Sequence, residues 1–149
     1  MSWINEMFGV QKPIIAMCHL QAMPGDPYYD HAGGMKRVVE LARKDVYALQ
    51  EGGVEAIMFS NKYSLPYLTK VRTETVASMA RVIGELMNEI TMTYGVNCLW
   101  DQIASIDLAV AVDAKFIRDD HKRGLCQRFR ALEYKCRGDD PSQDGSRSV

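Results

Sequence analysis

Five polar residues carry the chemistry this sequence offers: His19, Asp26, Asn61, Asn97 and Arg118. His19, Asn61, Asn97 and Arg118 stand where apolar runs end, and Ser60 precedes Asn61. An imidazole titrating near neutrality gives or takes a proton, so His19 is the candidate general acid or base. The amides of Asn61 and Asn97 offer paired donors and acceptors to hydroxyl groups. The planar fork of Arg118 fits a phosphate or carboxylate. Asp26, inside Pro24-Gly25-Asp26-Pro27, adds a carboxylate from a loop. Each has a plainer alternative. His19 could bond a loop, the Asn residues could shape turns, Arg118 could pair with an acid, and Asp26 could close its own turn.

Other chemistries lack their residues. Three histidines occur, none in H-x-x-x-H or H-E-x-x-H spacing, so no metal site is expected. No G-x-G-x-x-G or Walker loop occurs, and no cofactor can be assigned. Cys18, Cys98, Cys126 and Cys136 match no zinc template, and Cys18 and Cys98, inside apolar runs, are expected as reduced, buried thiols. Formal net charge is -1, without the basic excess that nucleic acid requires. The amino terminus lacks a signal-peptide pattern and no apolar run is long enough for a membrane span, so a cytoplasmic protein is expected.

The elements that must position these residues alternate. Trp3, Ile4, Met7 and Phe8 have helical spacing and predict a helix of one to two turns, which could cover the bottom of a barrel or, less readily without a Lys or Arg cluster, lie on a membrane surface. Residues 13–20 are apolar almost without alternation, as in a strand buried on both faces. Met35, Val38, Val39, Ala42, Val46 and Leu49 form a helical stripe over 35–51, ended by Gly52-Gly53. Residues 54–60 predict a second strand. A helix follows with Thr73 as its N-cap and Val76, Met79, Ala80, Ile83 and Met87 as its stripe. A third strand spans 91–99. Asp101 caps a helix bearing Ile103, Ile106, Leu108, Ala109 and Val110, and 115–118 make a short fourth strand. Such alternation predicts parallel pairing through right-handed crossovers. An open sheet and part of a barrel both satisfy this pattern.

Residues 119–149 break it. Thirteen of these 31 residues are charged, and the end, Gly138-Asp139-Asp140-Pro141-Ser142, has the composition of disorder. A short helix over 128–134 is the one element expected there.

Several separate motifs resemble the BtpA family. They are His19-Leu20-x-x-Met23-Pro24-Gly25-Asp26-Pro27, Gln50-Glu51-Gly52-Gly53-Val54-Glu55-Ala56, Phe59-Ser60-Asn61, Val71-Arg72-x-Glu74-Thr75, Tyr94-Gly95-Val96-Asn97-Cys98-Leu99 and Ala114-Lys115-Phe116-Ile117-Arg118. Met58-Phe59-Ser60-Asn61 and Ser64–Arg72 are most similar to SgcQ-like members. The resemblance covers about residues 1–118 and implies an α/β fold: the N-terminal half of a (β/α)₈ barrel of the ribulose-phosphate-binding type, with about four parallel strands and an irregular tail. It implies a small, phosphosugar-like ligand and places His19, Asn61, Asn97 and Arg118 at the carboxyl ends of strands, where barrel sites lie. Members are linked in name to photosystem I biogenesis, so a non-catalytic assembly factor is the alternative.

Two departures from the family pattern stand out. Asp113 replaces the glycine usual before Ala114. After Arg118 the family motif gives way to Asp119-Asp120-His121-Lys122-Arg123. One permitted codon set for residues 126–140, read one base later, spells a family-like Ala-Ser-Asp-Phe-Gly continuation. A frameshifted tail over 119–149 and an incomplete, inactive barrel are therefore expected, with a second copy available to cover its bare strand edges.

Overall fold

The computed structural model describes residues 2–118. The expectations for 119–149, including the helix at 128–134 and the frameshifted tail, lie outside the described residues.

Helix α1 (Trp3–Phe8) leads into β1 (Ile15–His19), α2 (Gly34–Glu51), β2 (Ala56–Ser60), α3 (Thr73–Leu86), β3 (Thr93–Asn97), α4 (Gln102–Ala111) and β4 (Phe116–Ile117). The strands form one parallel sheet in the order β1-β2-β3-β4. That order favours part of a barrel over a doubly wound sheet. Doubly wound sheets reverse direction at a switch point, whereas a barrel adds each strand beside the last. The fold is α/β and consistent with half of a (β/α)₈ barrel.

The strands are shorter than the apolar runs, because each run includes residues that only approach the sheet. One face packs against α2, α3 and α4. Cys18, Ile57, Phe59 and Val96 meet Val38, Val39, Ala42, Val46, Met79, Val82, Ile83, Leu86 and Leu108 there. The stripe expected on α2 is the observed one, with Val38, Val39, Ala42 and Val46 buried. On α3 the contact is rotated: Thr75, Ser78, Val82 and Leu86 are buried with Met79 and Ile83, while Val76, Ala80 and Met87 pack at the margin. On α4, Leu108 and Ala109 point inward, but Ile103 and Val110 are exposed.

The helix ends follow local chemistry, with one correction. Thr73 is the first helical residue of α3; Arg72 holds the cap position and makes no side-chain cap bond. Asp101 caps α4 as expected, accepting from the Ala104 amide at 3.0 Å. Asp113 follows α4 with φ of 56°, the conformation that the family glycine adopts freely.

The other sheet face holds a smaller cluster of Ala56, Met58 and Phe116, with Met7, Phe8 and Met17 packed on it. Helix α1 therefore covers the amino-terminal end of this inner face. The Phe8 and Phe116 rings meet edge to face at 5.5 Å. Gly95 makes room for this contact, because a Cβ there would lie 2.5 Å from the Phe116 ring.

Candidate functional site

Parallel pairing decides which polar residues share a face. His19 pairs with Ser60, and Ser60 pairs with Asn97. Side chains alternate along a strand, and Cys18, Phe59 and Val96 face the helices. His19, Ser60 and Asn97 consequently form one row across the carboxyl end of the inner face. Neighbouring strands lie about 4.8 Å apart, so the row spans about 10 Å, the scale of a small metabolite.

The row is poorly satisfied. His19 Nδ1, Ser60 Oγ and Asn97 Nδ2 are buried and have no hydrogen-bond partner among the described residues. Ser60 and Asn97 are only 1% and 2% exposed. Buried polar atoms are normally paired, and leaving one unpaired costs about 1–3 kcal/mol. Three such atoms on adjacent strands mark a place where a polar ligand would restore lost bonds.

Burial holds the His19 pKa below its ordinary value, and the positive charge of Lys62 adds to that, while Asp45 opposes it. The imidazole is accordingly biased toward its neutral form, which can accept a proton.

The remaining predicted residues take other positions. Asn61 follows Ser60 and turns away from the row; its Oδ1 accepts from the Leu99 amide at 2.8 Å. It ties the loop after β2 to the loop after β3. The Asp26 carboxylate accepts from the Met23 amide at 2.7 Å and the Ser64 hydroxyl at 2.8 Å. It closes the first loop and fastens it to the second. Both residues line a cleft with Pro27, Ser64, Pro66 and Arg72. Arg118 is exposed one residue beyond Ile117, whose strand partner is Val96. Extending that register by one step brings Arg118 alongside Asn97.

Lys62 was not singled out by sequence pattern, since a lysine in a polar loop carries no spacing signal. Tyr67 and Trp100 were missed for the same reason. Their rings meet edge to face at 5.5 Å. Cys18 and Cys98 are buried among apolar neighbours, and burial pushes both thiols up to about 12. They are inert packing groups at neutral pH. Among the described residues no group of acids, histidines or cysteines could hold a metal. No helix among them is long and apolar enough to cross a membrane.

The family model for the BtpA family matches residues 10–126. The chain belongs to the BtpA family. Over 119 residues it is 60% identical to the putative sgc region protein SgcQ of Escherichia coli, covering 80% of this chain and 44% of that protein. An uncharacterised protein of Pyrococcus abyssi is 37% identical over 126 residues, covering 84% of this chain and 48% of its own length. The photosystem I biogenesis protein BtpA of Synechocystis is 30% identical over 129 residues, covering 85% and 44%. The chain thus spans less than half the length of these relatives. No solved structure matches the chain significantly.

Proposed function

We propose that this BtpA-family chain carries one half of the ligand-binding face of a barrel enzyme acting on a small, phosphosugar-like metabolite. In this reading Ser60 and Asn97 bind ligand hydroxyls, and His19 moves the proton. The three unpartnered atoms of the His19–Ser60–Asn97 row carry the proposal. Asn61 and Asp26 hold the loops around the row, and Arg118 adds positive charge at its far end. A small-molecule role fits this row better than an assembly role, because protein docking does not call for orphaned polar atoms inside a sheet face.

The reading is that the four described strands bind ligand and that turnover calls on all eight strands of a closed barrel. It also takes residues 1–118 as the barrel segment, 119–149 as a frameshifted tail, the cytoplasm as the location, and a second copy as the cover for the edges of β1 and β4. Sequencing the coding DNA after the Arg118 codon tests the tail, and size-exclusion chromatography tests the second copy.

The binding test is a thermal-shift screen of sugars, sugar phosphates and sugar acids. A saturable rise in melting temperature that disappears in Asn97→Ala and Ser60→Ala is the expected result. A rise that persists in both variants, or its absence from every ligand, would count against the row.

A further inference from the structure

Trp100 sits where a tryptophan is hard to place. The Asp101 amide donates to the Cys98 carbonyl at 3.0 Å, closing a turn across Leu99 and Trp100. Trp100 has φ of 67°, a conformation that turns usually assign to Gly or Asn. Its flanks are fixed: Asn61 holds the Leu99 amide, and Asp101 holds the amides of Val71 and Ala104. Core packing does not account for the residue, because Trp100 is 58% exposed. Strain of this kind persists where the surrounding structure enforces it, and it concentrates at functional sites.

The strained turn displays the indole beside two other groups. Tyr67 packs edge to face against it and donates its hydroxyl to the Lys62 carbonyl at 2.8 Å. The Lys62 ammonium lies 5.9 Å from the centre of the Tyr67 ring. No carboxylate pairs with Lys62 among the described residues. Lys62 follows Ser60 by two residues and Trp100 follows Asn97 by three, so both belong to the loops that rim the polar row. The charge of Lys62 is also felt at His19.

We propose that Lys62, Tyr67 and Trp100 form a recognition shelf beside the His19–Ser60–Asn97 row, binding an anionic sugar-like ligand. Lys62 takes the anionic substituent. The indole face takes the apolar C–H face of the ring, as an electron-rich aromatic surface does. Ring hydroxyls then reach Asn97 and Ser60. The shelf rests on the ligand-binding reading above and adds where the anion lies. That place is the loop after β2, far in sequence from the loops after strands seven and eight that grip phosphate in many barrels.

The test uses the full chain carrying Trp3→Phe, which leaves Trp100 as its single tryptophan. Its fluorescence is titrated with ribose 5-phosphate, gluconate, ribose and inorganic phosphate. The expected result is a saturable change with the sugar phosphate at least about tenfold tighter than with ribose or phosphate alone. Tight gluconate binding would support the shelf too, with a carboxylate as the anion. Lys62→Met should erase the preference over ribose. Trp100→Gly, whose glycine accepts the turn, should keep a cooperative melt and weaken ligand binding about tenfold, read by thermal shift.

Equal binding of ribose and ribose 5-phosphate, or a preference that survives Lys62→Met, overturns the shelf. So does a lack of any saturable change up to about 10 mM. Ligand stabilisation that depends on Asn97 but ignores Lys62 and Trp100 removes the shelf and leaves the row standing. Binding that depends on Lys62 and Trp100 but ignores Ser60 and Asn97 removes the row instead.

Discussion

Cys18, Ile57, Phe59 and Val96 point toward the helices, while Met17, Met58, Ser60, His19 and Asn97 point the other way. The helix side is sealed by three helices and is apolar throughout its centre. The inner side is apolar only at its amino-terminal end, where α1 packs, and polar at its carboxyl end. One face spends its residues on stability. The other holds buried polar atoms without partners among the described residues and gives up stability in doing so. The same four strands serve both ends because alternation separates the two sets residue by residue.

Mutations at equivalent depth on the two faces should therefore behave differently. Phe59→Ala removes a fully buried ring from the helix side and should cost about 3–5 kcal/mol in chemical denaturation. A loss below about 1 kcal/mol would mean that this face is not the sealed core. Gly95→Ala tests the amino-terminal end of the inner face. Its methyl meets the Phe116 ring, which already presses on Phe8, and the expected loss is about 1–3 kcal/mol. Adding Phe116→Leu should recover part of that loss.

Ser60→Ala should run the opposite way. It deletes a buried hydroxyl that has no partner, so unfolding should show no loss, or a gain of up to about 1 kcal/mol. A clear loss would show that the hydroxyl is satisfied in solution and would blur the contrast between the faces. Asp113→Gly restores a residue without a Cβ at positive φ and should gain about 0.5 kcal/mol.

The smallest effect is electrostatic. Folding lowers the His19 pKa below the ordinary histidine value, so the unfolded chain takes up the proton first as pH falls. Stability should therefore drop slightly as pH falls from 6.5 to the lower folded value, then level off. Proton NMR of the His19 ring should show a midpoint below that of the unfolded chain, and Lys62→Met should move it upward.

Much of this arrangement was legible in the sequence. Unbroken apolar runs marked the strands, and a 3.6-residue stripe found the buried side of α2. The stripe was incomplete on α3, where Met79 and Ile83 are buried as expected but so are Thr75 and Ser78, and small hydroxyl residues carry no hydrophobic signal. On α4 it held for Leu108 and Ala109 but not for Ile103 and Val110, which face outward on a helix that is apolar nearly all round.

Their places at strand ends singled out His19 and Asn97, and the sheet sets both in one row with Ser60. Between Ser60 and Asn61 the sequence pointed to both, and the pleat sends them to opposite sides. The one that looked better suited to bind hydroxyls is occupied with the Leu99 amide. Lys62, Tyr67 and Trp100 come together through loop geometry, which no periodicity records.

The contact of Phe8 with Phe116 has a consequence for traffic. Phe8 and Phe116 plug the amino-terminal end of the inner face, so a ligand that binds the proposed row would approach from the carboxyl end, past the loops that carry Lys62 and Trp100.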